Sequence, residues 1–370
     1  MASDQPQVEE IEGYEESAQD DMGDYPLDAV FVRTDQRTVG EVVRRIRGGR
    51  YDLNPDFQRD FVWTPEKQSR LIESCLMRIP LPVFYVAEAT DGRIIVVDGL
   101  QRLSTFKRFF DDDLKLTFSR STDPDIKRNP LSGKSFKDLQ LNLQERLEDT
   151  QLTLYILDSK APDRAKLDIF ERVNGGEPLT RQQMRNCLYN GPATIWLRTA
   201  AKSNEFIHAT GASLDSRKMR DREAINRFCA FSLLGWQKYK GDMDSFLADS
   251  LDEMNKLSET ELSRLTKSFT QAMKNNEALF GVHAFRKSLA GPNTGSRSVL
   301  NIAFFDVCSV LLRDYSDADI QGNKTKLREA IRGLLGKEDF TKAITYSTNS
   351  RIPVEQRFSK MDQTIKLVFL

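Results

Sequence analysis

The stretch VVDGLQRLSTF, residues 96–106, sets an acid, a glycine and an arginine where an apolar run gives way to helical spacing. Glycine lets a chain leave a strand in a conformation that other residues resist, and it lets a ligand approach the backbone. A helix beginning just after Gly99 points unpaired N–H groups outward at its partially positive end, a ready anion site. Arg102 falls in the first turn, where a guanidinium can grip phosphate oxygens through two parallel hydrogen bonds. Asp98 suits three roles: capping the helix, orienting Arg102 or holding a hydrated magnesium ion. Gln101, Ser104 and Thr105 add hydrogen-bonding groups. This chemistry fits a nucleotide phosphate. Strand–Asp–Gly–helix corners are also common structural devices, and the residues alone leave both readings open.

Two further constellations accompany this corner. In DFQRDFVW, Gln58 and Arg59 sit between aromatics. If Phe57, Phe61 and Trp63 anchor the segment, the polar pair reaches a common cleft; a surface ion pair is the competing explanation. In FERVNGGEPLTRQQMRN, a helix ending at Val173 meets Asn174-Gly175-Gly176, a turn that needs permissive dihedrals. Arg172, Asn174 and Arg185 are candidates to face the N-terminal domain, against the alternative of a helical hairpin with a solvated arginine face. Basic clusters RRIRGGR (44–50) and SRKMRDR (216–222) suit either a nucleic-acid backbone or a solvated helix face. His208 and His283 lack partners at metal-binding spacing and read as packing residues. Neither a Walker A loop nor a Gly-x-Ser-x-Gly elbow occurs in the sequence.

The elements that would position these groups follow from pattern. Thr38 with Glu41 has capping-box spacing for the helix VGEVVRRIR, which stops at Gly48-Gly49. Thr64-Pro65 starts a second helix, and RIPLP ends it. VFYVAE and RIIVVDG read as a strand pair joined by ATDG, a third helix runs from Gln101 to Phe110, and QLTLYILD (151–158) is a further strand. Beyond residue 160 the apolar spacing is helical throughout. The expected fold class is α+β: an α/β domain over 31–160 followed by an all-helical bundle over 161–370. Residues 1–30 carry ten acids and no lysine or arginine, so a disordered, solvated leader is expected there, with shielding of a basic surface as the sharper alternative. Without that −10, the net charge of −1 becomes +9 on the remaining residues. The 370 residues hold 39% hydrophobic and 29% charged side chains and no apolar run of membrane-spanning length. The start MASDQPQVEE has neither a basic nor an apolar region, so no secretory signal is expected. Four scattered cysteines among apolar neighbours read as buried reduced thiols of a cytoplasmic protein.

Taken together and in order, DFQRDFVW, VVDGLQRLSTF and IFERVNGGEPLTRQQMRN resemble the GmrSD-type restriction endonuclease N-terminal domain family, of ParB/sulfiredoxin-like fold and Asp-Gly-Gln-Gln-Arg signature. The likeness runs from about residue 35 to the end. It implies an NTP-hydrolysing, DNA-sensing module of bacterial restriction and anti-phage defence, with magnesium as a companion ion and a separate histidine-metal nuclease as a partner. Carried over residue by residue, the signature falls on Asp98, Gly99, Gln101 and Arg102, the upstream pair on Gln58 and Arg59, and the turn on Arg172, Asn174, Gly175 and Gly176. The resemblance then assigns phosphate cradling to Gly99 and the amides after it, charge neutralisation to Arg102 and Arg59, and metal or water orientation to Asp98. Two departures stand out. Leu100 replaces the first glutamine of the signature, and the histidine-bearing nuclease domain is not expected within this chain, so cleavage in cis is not expected either. Leu100 favours the alternative of a non-catalytic DNA-binding or protein-interaction module that keeps the fold without hydrolysis.

Overall fold

The computed structural model describes residues 9–13, 32–53, 63–89, 91–118, 129–161, 169, 180–291 and 296–369. The chain divides into two compact units: Gly23–Leu179, and Thr180–Leu370 together with Met1–Met22. The division therefore falls at Leu179–Thr180, later than the 160–161 boundary drawn from the change of pattern.

The first unit is mixed. Strand β1 (Val32–Thr38) leads directly into helix α1 (Val39–Arg47), then β2 (Tyr51–Asp52), α2 (Pro65–Leu76), β3 (Phe84–Glu88), β4 (Ile94–Asp98), α3 (Leu100–Phe110), α4 (Leu141–Glu148) and β5 (Gln151–Leu157). The sheet order is β1-β5-β3-β4-β2. The β1/β5 and β3/β4 pairs are antiparallel, while β5/β3 and β4/β2 are parallel. Local chemistry sets the helix starts: Thr38 accepts from the Glu41 amide and Thr64 from the Lys67 amide, with Pro65 in the first turn. Apolar faces of α1 (Val39, Val42, Val43, Ile46), α2 (Ile72, Cys75) and α3 (Leu103, Phe106, Phe109) share one core with Phe84, Val86, Val96, Leu154 and Ile156 of the sheet. The β3/β4 register shifts between Tyr85 and Val86, beside the partner of Asp98. Such a bulge re-aims a strand end, and this one lies next to the corner singled out above.

The described residues from 180 onward are helices and turns, with only isolated β-bridges. Their core is rich in aromatic side chains, among them Phe228, Phe231, Phe269, Phe305 and Phe358. At its centre Asp306 takes three hydrogen bonds from two fully buried arginines: from Arg227 Nε and Nη2 (2.9 and 2.6 Å) and from Arg357 Nη2 (2.9 Å). Burial, opposed by Asp306, pulls the Arg357 guanidinium down to about 10.

Residues 9–13 depart from the expectation of a solvated leader. Ile302 donates its amide to Glu12 O, and the Glu12 amide donates to Leu300 O. Glu9 pairs with the buried Arg286 (2.8 Å) and with Arg297 (2.6 Å), and Glu12 with Lys287 (2.5 Å). A buried guanidinium needs a counter-charge, and here the leader supplies one.

All four cysteines are free and buried, and burial pushes the Cys75 thiol up to about 12. His283 is buried with Nδ1 2.9 Å from Ser288 Oγ, as expected of a packing residue. His208 instead lies on an exposed helix face. Among the described residues no helix is long and apolar enough to cross a membrane.

Candidate functional site

Asp98 ends β4 and Gly99 is the N-cap of α3, with φ +100°, in the left-handed region. A Cβ on Gly99 would stand 2.3 Å from Phe84 Cδ1, so only glycine fits this corner. No side chain caps α3, and its first backbone hydrogen bond runs from the Leu103 amide to Gly99 O. The amides ahead of Leu103 therefore face the corner at the positive end of the helix.

Arg102 does not take the outward position expected of a phosphate ligand. It is 8% exposed. Its Nη1 donates to Pro82 O, and its Nη2 donates to Val83 O (3.0 Å) and Asp98 Oδ2 (2.9 Å). The guanidinium carbon stacks 4.1 Å from the centroid of the buried Phe84 ring. Burial lowers its pKa, and Asp98 opposes that effect. The physical reason for the correction is geometric: the fork is spent on two carbonyls and a carboxylate of its own domain, so Arg102 ties the segment before β3 to the end of β4. It positions Asp98 and does not reach past it.

The other corner residues divide in two. Thr105 is fully buried and donates to Gln101 O at 2.7 Å, a bond internal to the helix. Gln101 Oε1 and Ser104 Oγ are buried with no hydrogen-bond partner among the described residues. Three positions apart, they share a helix face, and an unmatched buried polar atom costs about 1–3 kcal/mol. The Asp98 side chain is 38% exposed, and one oxygen, Oδ2, serves Arg102. The other oxygen has no partner among the described residues. Around it the described residues place no group of three or more His, Cys, Asp or Glu fit to hold a metal alone. One carboxylate does suit magnesium that arrives with phosphates, because that ion is commonly held by one or two carboxylates, waters and substrate oxygens.

Gln58, Arg59, Arg172, Asn174, Gly175 and Gly176 lie outside the described residues. Arg185, considered for an outward role, is fully buried and bound to Asp244 (2.5 Å), with Glu223 at 3.4 Å. It belongs to the core of the helical unit.

A second polar feature was legible only in part: Arg45 and Arg50 belong to the basic cluster 44–50 noted in the sequence, whereas Arg33 and Arg37 were not singled out there. Arg33 and Arg37 of β1, Arg45 of α1 and Arg50 line a cleft of about 280 Å³ together with Tyr51 and Glu88. The signal was available in VRTDQRT, where Arg33, Asp35 and Arg37 alternate with period two and so share one strand face.

Comparison with protein families finds that residues 39–190 match the GmrSD restriction endonuclease, N-terminal domain. No curated protein and no solved structure gives a significant match. The matched span takes in α1 through β5, with the Asp98–Arg102 corner, and reaches the helix Arg181–Leu188. The match of residues 39–190 to the GmrSD restriction endonuclease N-terminal domain thus points to a component of a restriction and defence system.

Proposed function

We propose that this chain is a nucleotide-binding, DNA-sensing component of a restriction system, and that NTP phosphates are received at the corner of β4 and α3. The observation that carries the reading is the uncapped start of α3 beside a half-exposed Asp98, on a helix face where Gln101 Oε1 and Ser104 Oγ are unmatched. Exposed amides and the helix dipole favour phosphate oxygens. Gly99 keeps the backbone bare, and Arg102 with Phe84 holds the corner in shape before ligand arrives, which reduces the ordering cost of binding. A magnesium ion carried with the nucleotide would take Asp98 as its protein ligand and neutralise phosphate charge.

A second reading, nucleotide binding without hydrolysis, is favoured by one observation. With Arg102 turned inward, the described corner residues present no free cation to the charge that develops in phosphoryl transfer. Hydrolysis then depends on Arg59.

Fluorescent-nucleotide titration and phosphate-release assays on the full chain test both readings. Asp98→Asn keeps an oxygen for Arg102 but loses the charge. It should weaken magnesium-dependent nucleotide binding at least about tenfold and leave magnesium-free binding nearly unchanged, as loss of a metal carboxylate implies. Turnover abolished by Arg59→Ala supports hydrolysis, and binding without turnover supports the second reading. A wild-type chain that binds none of the four common NTPs, with or without DNA, removes the nucleotide proposal.

A further inference from the structure

The arginine cleft lies at the opposite end of β4 from Asp98. It is bordered by Gly92 and Ile94, and the strand from Ile94 to Asp98 spans about 13 Å. Four guanidinium groups lining one hollow repel one another unless anions offset them. Three have local acids: Arg33 pairs with Glu88 (2.9 Å), Arg37 with Asp35 (2.8 Å) and Arg45 with Glu41 (2.8 Å). Of these acids only Glu88 lines the cleft. Arg37 is also fixed from inside, donating to the Tyr51 hydroxyl at 2.8 Å. Arg50, on the rim, is exposed and has no ion-pair partner among the described residues, and the same holds for Arg44 on α1. Arg45 lines the cleft and Arg44 does not, so α1 carries one further unpaired cation on its exposed side outside the hollow.

We infer that this cleft and the adjoining face of α1 bind the phosphodiester backbone of duplex DNA. The inference rests on the DNA-sensing part of the reading above and adds the surface that makes the contact. Two features select this ligand over a free nucleotide or a single strand. The Tyr51 ring is 4% exposed, so the cleft offers only a hydroxyl and no aromatic face on which a base could stack. Of the two unmatched arginines, Arg50 lines the hollow and Arg44 lies outside it, a spread of positive charge that suits a repeating anion. The contact reads backbone charge and carries no base specificity.

The test uses the full chain, a duplex of about 20 base pairs or two helical turns, and fluorescence anisotropy across a salt series. Arg44→Gln with Arg50→Gln removes the two unpaired cations without breaking an ion pair. The slope of log affinity against log salt should fall by about 1.8, two phosphate contacts at about 0.9 each, and binding at low salt should weaken at least about tenfold. Arg44→Lys with Arg50→Lys should restore most of the binding. Lys115→Gln with Lys137→Gln, an equal loss of charge at exposed positions of the same unit, should leave the slope unchanged. Three results overturn the inference: a wild-type chain that does not bind the duplex, an Arg44/Arg50 variant that keeps the wild-type slope, or a lysine control that loses as much. Nucleotide titration of the same variants separates the two sites, because the corner at Asp98 retains its affinity if only the cleft assignment fails.

Discussion

Replacing Arg102 with alanine tests the structural account of the corner most directly. The side chain donates to Pro82 O, Val83 O and Asp98, and it covers the Phe84 ring. Hydrogen bonds that involve a charged group contribute about 1.5–3 kcal/mol each. Pro82 is exposed and Val83 partly so, which lets water replace the donor at these carbonyls. Asp98 is 38% exposed, so its ion pair counts for less than about 1 kcal/mol. Contact of the cation with a buried ring adds about 1–2 kcal/mol. With these discounts Arg102→Ala should cost about 2–4 kcal/mol. For a unit of this size that is a fall of roughly 5–15 °C in the melting temperature of the first unit. Calorimetry of the full chain without ligand is the assay, since two units are expected to give separable transitions. Arg102→Lys keeps the charge but replaces the planar fork with a point donor, and it should recover less than half of the loss. A melting temperature within about 1 °C of wild type for the alanine variant would refute the argument. That result would mean that the guanidinium is not committed to its own domain and is free for a ligand.

Three further outcomes follow from the geometry. Gly99→Ala imposes a left-handed backbone on a side chain whose Cβ meets Phe84 at 2.3 Å; it should lower stability by about 2–4 kcal/mol in denaturant titration. Asp306→Ala leaves Arg227 and Arg357 buried without their shared carboxylate, costing about 3–5 kcal/mol and shifting only the transition of the helical unit. Burial raises Asp221 to about 6. The folded state therefore holds the proton more tightly than the unfolded state, and stability declines as pH rises from about 4 to about 6, then levels off. Asp221→Asn should flatten that limb of the stability–pH curve, and an unchanged curve would show that another group titrates there.

The elements around the corner were legible because each carries its own local signal. Thr38 and Thr64 mark helix starts through their hydroxyls, and the apolar runs before Asp98 and after Gln151 read as strands. β1 was not legible. Its alternating residues are nearly all polar, and it is held by backbone pairing with β5, a partner more than a hundred residues away. Gly99 was read correctly as a special backbone position. The reason for it, the edge of Phe84, lies on a different strand and leaves no trace in local spacing. The direction of Arg102 was illegible for a similar cause. Position i+4 from Asp98 suggests a pair, but the carbonyls of Pro82 and Val83 that decide which way the fork faces lie in another segment. Arg185 shows the same limit, since an arginine in a polar helix can still be a core residue when Asp244 meets it there.

The attachment of Glu9 and Glu12 to groups about 280 residues away ties completion of the helical unit to the order of synthesis. Residues 9–13 leave the ribosome long before Leu300, Asn301 and the Thr348 that donates to Gly13 O. The segment must wait while the whole intervening domain is made and folds. Glu9 and Glu12 stay without their cationic partners, Arg286 and Lys287, throughout that interval. Removal of residues 9–13, or a bulky insertion beside them, therefore acts at a distance: it weakens the helical unit rather than the domain that follows the segment in the chain.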